Sequence, residues 1–203
     1  MKKIKHRPDE EGYTLVVLLG LMAVLAVVMT GVAPNLRQQA QREREQEAIF
    51  RGEQIAQAIR GYIAVRGVPP TSMKQLLEGV PRGIKTVQIL RPSAARDPLT
   101  AKGEWRTVAP TDPELVDFKQ ALTLYAGGSL PPPTDALTAR FGNAVAAPVV
   151  AIGGAQTSVA QGSSSPFTGG SFLGVASKSG RASVINYYGI DRHDRWIFTP
   201  LFR

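Results

Sequence analysis

The 203-residue chain is predicted to be an α+β protein in which a long N-terminal helix packs on a small antiparallel sheet. Three observations predict this fold class. Residues 13–33 form an uncharged apolar run, and residues 35–66 continue with the periodicity of a helix. Three short segments near the C-terminus have the composition of strands and are separated by turn residues. The length allows one domain with additional segments.

The apolar run extends from Tyr13 to Ala33, and no residue between Glu11 and Arg37 is charged. A helix over this run is roughly 30 Å long at about 1.5 Å per residue, which matches the hydrocarbon core of a bilayer. A cleaved secretory signal has a shorter apolar region, of about 7–15 residues, and a core helix of a soluble domain usually has a polar face. The run therefore predicts a membrane-spanning helix.

The charges on either side of this run predict its orientation. Four basic residues precede it, namely Lys2, Lys3, Lys5 and Arg7. Basic residues next to a membrane helix favour the cytoplasmic side. Three arginines beyond the run, Arg37, Arg42 and Arg44, weaken this asymmetry. We expect a single-pass protein whose N-terminus is cytoplasmic and whose main part lies across the membrane.

The start of the run has a more specific pattern. The charged leader ends in Gly12, and Tyr13-Thr14-Leu15-Val16 opens the apolar run at once. Pro34 stands 22 residues into the segment that begins at Tyr13. Together these features resemble the N-terminal signal of type IV pilins and type II secretion pseudopilins, including the family of general secretion pathway protein G.

This resemblance implies how the N-terminus is processed. A prepilin peptidase cuts after Gly12, which removes the leader 1–12, and Tyr13 becomes an N-methylated N-terminus. Residues 13–34 then remain as the transmembrane helix, with a kink at Pro34. The resemblance further implies a stalk helix over 35–66 and a periplasmic α+β head over 67–203, with a flexible insert at about 127–171.

The function implied by the resemblance is structural rather than enzymatic. The chain would be stored in the inner (cytoplasmic) membrane and then assembled into a filament, either a type II secretion pseudopilus for protein secretion or a type IV pilus. The implied partners are other pilins or pseudopilins, the prepilin peptidase, an inner-membrane platform protein and a cytoplasmic assembly ATPase. The lack of cysteine favours pseudopilins over pilins with a C-terminal disulfide loop.

Three features depart from the family pattern. Tyr13 stands where the family usually has Phe, and the leader ends with the acidic residues Asp9, Glu10 and Glu11 before Gly12. The family has a glutamate at the fifth mature position, where this chain has Val17. That glutamate is understood to neutralise the N-terminal amine of the neighbouring subunit during assembly, and tip pseudopilins lack it. Val17 therefore suggests either a minor subunit or a lineage that assembles without this ion pair.

The predicted stalk helix has an apolar stripe and a polar segment. The stripe steps by three or four residues, through Ala48, Gly52, Ile55, Ile59 and Tyr62, as expected for a face that packs on a sheet. The segment Gln38–Glu47 is polar all round and is expected to meet water or neighbouring subunits. Gly67 and Pro69-Pro70 end the helix.

Short elements are predicted after the stalk. We expect a helix over Ser72–Leu77 and strands over Thr86–Leu90 and Glu104–Val108. Asp112 begins a further helix as its cap, followed by Pro113 and Glu114 in the first turn, and Gly127-Gly128 ends it. The segments from Gly67 to Leu77 and from Arg96 to Trp105 loosely resemble the corresponding region of major pseudopilins, and an ordinary proline loop and turn explain them equally well.

The last third of the chain combines an uncharged segment with strand-like segments. No residue from Phe141 to Ser177 is charged, and Gly153–Gly170 is rich in Gly, Ser, Thr and Gln, which is typical of a loop. The alternative is a surface that other subunits cover. The strands are predicted over Phe172–Ser177, Ser183–Tyr188 and Arg195–Thr199, joined as an antiparallel meander.

Candidate binding chemistry is limited. Asp191 and Asp194 are the one plausible metal pair, and the resemblance to major pseudopilins implies calcium in a C-terminal loop. Arg192 and Arg195 would oppose a cation, and the many oxygen ligands of a full calcium loop are absent. The net charge of +8 is spread along the chain, which favours a solvated surface over nucleic-acid binding. A DNA-binding minor pilin for DNA uptake remains an alternative.

A membrane-anchored hydrolase is the second alternative. After leader removal His193 is the one remaining histidine, and a serine nucleophile would need it nearby. Ser163–Ser165 and Ser171 are available, but Gly169-Gly170-Ser171-Phe172-Leu173 lacks the final glycine of a nucleophile elbow. We expect loop serines and a solvent-exposed turn histidine instead.

Overall fold

The structure is a computed structural model that describes residues 9–130, 139–141 and 170–202. Within the N-terminal helix it describes the side chains of residues 12–28 and 37–66. Most of the predicted flexible insert, including residues 153–169 of its loop, lies outside the described residues, as does the leader up to residue 8. These two predictions therefore stay predictions.

The described chain is α+β, as the sequence predicts. Its helices are α1 (Asp9–Arg66), α2 (Met73–Glu78) and α3 (Pro113–Tyr125), and residues 139–141 are also helical. Seven short strands follow or separate them, namely β1 (Val80–Arg82), β2 (Lys85–Val87), β3 (Trp105–Val108), β4 (Gly174–Ser177), β5 (Ala182–Tyr187), β6 (Ile190–Arg192) and β7 (Ile197–Phe198). A single 3-10 turn over His193–Arg195 leads into β7.

The chain forms two compact units, Met1–Glu43 and Arg44–Arg203. In the first unit, the described apolar side chains between Tyr13 and Val28 are exposed. Among the residues that the structure describes, no helix is sufficiently long and apolar to cross a membrane. The last part of the predicted span, residues 29–34, lies outside the described side chains.

The second unit contains the hydrophobic core. From α1 it uses the predicted stripe, in which Ala48, Ile55 and Ile59 are fully buried. These residues pack with large side chains from the rest of the unit, among them Leu76, Leu90, Trp105, Leu115, Phe118, Phe172, Trp196 and Phe198. Gly52 lies directly against the Phe198 ring, which would overlap a Cβ atom at this position. The stripe is therefore a packing face, as predicted.

The predicted meander is wrong in its connectivity. The central sheet has the order β3-β4-β7, and its neighbouring strands are antiparallel, with Trp105 opposite Ser177 and Ala176 opposite Ile197. The predicted middle strand, β5, instead pairs with β6 in a separate two-stranded sheet. The β4 residues are all buried, whereas β5 alternates between exposed and half-buried residues. β4 is therefore the central strand: its two edges pair with β7 and with β3, a distant segment, and its side chains are buried.

A two-residue turn, Tyr188-Gly189, forms the β5–β6 hairpin, so Tyr188 lies in the turn and not in the predicted strand Ser183–Tyr188. Tyr188 and Gly189 have φ values of 51° and 78°. A type I′ hairpin turn requires positive φ at both central residues, which glycine adopts easily and tyrosine rarely does. The Tyr188 ring contacts Phe118 and Tyr125, with ring centroids 6.2 and 5.8 Å away. These contacts compensate the conformational cost at Tyr188.

The other elements agree with the predictions to different degrees. α2 and β3 lie where they were expected, and α3 begins after Asp112 as predicted. The Asp112 side chain does not cap α3; its carboxylate accepts the Ala109 N–H at 2.8 Å. The strand expected over Thr86–Leu90 is shorter and earlier, since its residues Lys85–Val87 pair with β1, a strand that the sequence analysis missed.

Candidate functional site

The predicted processing and assembly residues lie at the start of α1. Gly12 and Val17 are exposed on the helix, and Tyr13 is 73% exposed. The predicted cleavage position therefore lies at the surface of the helix. α1 is assigned as one helix through position 34, and the Pro34 side chain lies outside the described side chains. The kink at Pro34 stays a prediction.

The described residues 12–28 contain no buried side chain and no charged residue. Their large apolar members are between 50% and 73% exposed: Tyr13, Leu15, Val16, Val17, Leu18, Leu19, Leu21, Met22, Val24, Leu25, Val27 and Val28. Contiguous apolar surface of this kind marks a region that contacts lipid or protein. We call residues 12–28 the apolar helix segment.

A buried polar cluster joins α1 to the C-terminal part of the second unit. The Glu45 carboxylate lies 2.9 Å from His193 Nε2 and accepts the backbone N–H groups of Val184, at 3.0 Å, and Ile185, at 2.8 Å. His193 Nδ1 lies 3.3 Å from the Ser179 hydroxyl. The Glu45 and His193 side chains are 0% and 3% exposed. We call Glu45, His193 and Ser179 the polar cluster.

Two expectations about these residues are wrong. Glu45 belongs to the segment Gln38–Glu47, which was expected to be polar all round and in contact with water or neighbouring subunits, yet Glu45 is fully buried. His193 was expected to be a solvent-exposed turn residue and is also buried. The sequence did contain a signal for Glu45, because it stands three residues before Ala48 and extends the apolar stripe backwards on the same face.

A second chain of hydrogen bonds fixes the backbone at Ser179. The Ser179 N–H donates to Ser177 Oγ at 3.1 Å, and the Ser177 hydroxyl donates to Asp97 Oδ2 at 2.7 Å. Asp97 and Ser177 are both buried, and Asp97 also accepts the Leu99 N–H at 2.9 Å. Ser179 is therefore held from both its backbone and its hydroxyl.

The predicted metal pair lies at the surface. Arg192 binds both Asp194 carboxylate oxygens, at 3.1 and 2.7 Å, and this guanidinium lowers the pKa of the Asp194 carboxyl. Asp191 is exposed. Among the residues with described side chains, no three acidic or histidine residues are grouped as a metal ion would require. The described geometry gives the calcium interpretation no support.

The serines considered for a hydrolase have different positions. Ser163–Ser165 lie outside the described residues, and Ser171 is buried immediately before β4. The serine that contacts His193 is Ser179, which lies between β4 and β5. Its proximity to His193 arises from the pairing of β5 with β6, which brings Ala182 opposite Arg192. That pairing could not be seen in the residue spacing.

Comparison with known proteins identifies no relative. No protein-family model, no curated protein and no solved structure matches the chain.

Proposed function

We propose that the protein is a pilin-like structural subunit of a type II secretion pseudopilus or a type IV pilus, anchored in the inner membrane before it is assembled. The observation that carries this proposal is the apolar helix segment, which begins at Gly12 and exposes all of its large apolar side chains. A surface of this kind is stable only against lipid or against similar helices. A pilin-like subunit places it successively in both environments.

The second unit supports the same proposal. Residues of α1 from Ala48 onwards pack on an antiparallel sheet, and the two Trp side chains and Phe198 complete that core without a contribution from the apolar helix segment. A head that folds around one part of a helix leaves the other part available for assembly. This division of roles is what a filament subunit requires, and the pilin-like fold is part of the proposal.

Processing at Gly12 tests the proposal directly. Mass spectrometry of the protein extracted from membranes should find an N-terminus at methylated Tyr13. The Gly12→Ala variant should accumulate with residues 1–12 attached, and Gly20→Ala, which lies in open surroundings within the apolar helix segment, is the matched control. A mature N-terminus beyond residue 33 would identify an ordinary secretory signal and would contradict the proposal.

Val17 suggests a position within the filament. A valine inserts into a membrane more readily than glutamate, whose burial at a helix centre costs about 2.5–3.5 kcal/mol, but it offers no charge to a neighbouring N-terminal amine. We therefore expect the subunit to form no filaments alone and to be incorporated when a glutamate-bearing pilin is co-expressed. Electron microscopy that shows long homopolymers of the unaltered protein would rule out a minor role.

A further inference from the structure

We propose that Ser179 is a nucleophilic serine that reacts with small carboxylic esters, with His193 as its base and Glu45 as a positioning residue. This inference rests on the polar cluster alone. It is independent of the filament role, because the cluster lies entirely within the second unit and involves none of residues 12–28.

The hydrogen-bond pattern defines the histidine tautomer. Two backbone N–H groups already point at the Glu45 carboxylate, and an ionised carboxylate can only accept hydrogen bonds. His193 Nε2, at 2.9 Å, must therefore carry the proton of this contact. In a neutral ring Nδ1 then has a lone pair, and the Ser179 hydroxyl at 3.3 Å is its donor. Acid, base and nucleophile are related as in a catalytic triad that activates a serine. In the common arrangement Nε2 faces the serine and Nδ1 faces the acid, whereas here Nδ1 faces Ser179 and Nε2 faces Glu45.

Ser179 differs from Glu45 and His193 in its exposure to solvent. Glu45 and His193 are buried, which strengthens their interaction because the local dielectric is low. Ser179 is half-buried and reaches solvent. Its backbone is fixed through Ser177 to the buried carboxylate of Asp97. The residue is therefore partly exposed and its main chain is held in place, as a nucleophile requires.

The Arg192 guanidinium lies close to Gly180, the residue that follows Ser179. A Cβ atom built on Gly180 would lie 3.6 Å from Arg192 Nη2. The Arg192 guanidinium is held in place by its two bonds to Asp194. Positive charge and N–H donors near a reacting carbonyl stabilise the oxyanion that develops on it. Asp194 Oδ2 lies 3.8 Å from the same point, so Arg192 brings its N–H donors there as one half of an ion pair.

The proposed step is acyl transfer followed by hydrolysis. Ser179 Oγ attacks the ester carbonyl carbon as its proton moves to His193 Nδ1. The bond between that carbon and the alkoxy oxygen breaks, and His193 returns the proton to the departing alcohol. Water then cleaves the acyl-serine in the same way, so that one ester and one water give one acid and one alcohol. No cofactor or oxidant takes part.

The surroundings restrict the substrate to small esters. A groove of about 1060 Å³ in the second unit is lined by α1 residues and by Ile89–Arg91 and Ile185, and neither Ser179 nor His193 contributes to it. An acyl donor must therefore reach Ser179 from solvent at the loop between β4 and β5. A short acyl chain on a good leaving group meets this requirement.

The test uses the full-length protein in detergent micelles with a biotinylated fluorophosphonate and with p-nitrophenyl acetate. We expect the fluorophosphonate to label one site, which peptide mass spectrometry maps to Ser179, and p-nitrophenyl acetate to release p-nitrophenol with a burst of one equivalent. Heat-unfolded protein should not be labelled. Unlabelled Ser179 in the folded wild-type protein would overturn the proposal without recourse to any variant.

Variants then assign the roles. Ser179→Ala should abolish labelling, and His193→Gln should lower its rate at least about 100-fold, the contribution of a general base. Ser72→Ala, which changes an exposed serine before α2, is the control and should label at the wild-type rate. Equal labelling of wild type and His193→Gln, with Trp fluorescence showing both to be folded, would also overturn the proposal. Failed processing at Gly12 would leave this result unaffected.

Discussion

Two parts of the same helix use apolar residues in opposite ways. In α1, the apolar helix segment exposes its large side chains around the whole circumference, with Leu21 at 57% and Val27 at 72%. Further along, Ile55 and Ile59 are fully buried and share a stripe with polar residues on either side. Composition and periodicity both distinguish these two parts, because the first contains no charged residue and the second sets its apolar residues in a stripe. An apolar stripe predicts that the helix packs on the rest of its own chain. An apolar surface around the whole helix predicts that lipid or another protein covers it.

Removal of residues 1–34 should have the largest effect on this comparison. The deletion takes away the apolar helix segment and leaves every residue of the described core. We expect a soluble, monomeric and folded α+β domain, whereas the full chain should need detergent. Size-exclusion chromatography and circular dichroism measure both properties. An unfolded truncated protein would show that the second unit depends on the deleted residues.

Two substitutions by alanine, one in each part of α1, should change the free energy of unfolding of the second unit by different amounts. Ile55→Ala removes a fully buried side chain, and such changes cost about 2–5 kcal/mol. Leu21→Ala removes an exposed side chain and should leave the unfolding of the second unit unchanged. Denaturant unfolding of both variants in detergent, followed by fluorescence of Trp105 and Trp196, gives the comparison. Equal destabilisation by the two changes would contradict it.

Two glycines of α1 provide a smaller and more local contrast. Gly52→Ala places a methyl group in the Phe198 ring, and overpacking of this kind typically costs about 1–3 kcal/mol. Gly61→Ala meets nothing within 4 Å and should stabilise the helix by about 0.5–1 kcal/mol. Thermal unfolding of the second unit should therefore shift in opposite directions. A stabilised Gly52→Ala protein would mean that α1 does not approach the sheet as closely as described.

The smallest effect concerns alkaline pH. Burial raises the pKa of the Tyr187 hydroxyl, and the Glu53 carboxylate, 2.9 Å away, raises it further. The folded chain then holds this proton at a pH where the unfolded chain, with an ordinary pKa near about 10, loses it. Stability should decline above that pH, with a contribution of at most about 1.4 kcal/mol per pH unit. Tyr187→Phe should reduce this decline in denaturant unfolding between pH 8 and 11, and an unchanged decline would contradict the assignment.

The sequence was sufficient where local rules decide the structure. Pro113 after Asp112 located α3, and the regular spacing of Ile55 and Ile59 located the packing face of α1. Pairing between distant strands was not accessible in this way, because β3 and β4 are separated by more than 60 residues and no local signal joins them. The β5–β6 hairpin was missed because Tyr188 adopts a conformation that tyrosine rarely takes.

The polar cluster shows the same division. Glu45 continues a recognisable stripe, so its burial could have been read from its position. Its partner His193 lies 148 residues away in sequence, and only the tertiary fold brings the two together. Ser179 was hidden for a further reason, since a serine in a short turn is ordinarily a surface residue. Residue types and spacing could therefore predict the burial of Glu45. They could not predict that His193 and Ser179 lie beside it.

The bond between Glu45 and His193 has a consequence for the order of events during synthesis. Translation proceeds at about 5–20 residues per second, so roughly 7–30 s pass between the appearance of Glu45 and that of His193. Throughout that interval the stripe of α1 lacks β7, the strand that places Phe198 against Gly52. The newly made chain must therefore be kept from aggregating until its last strand arrives, and a ribosome that stops before β7 leaves a product whose core cannot close.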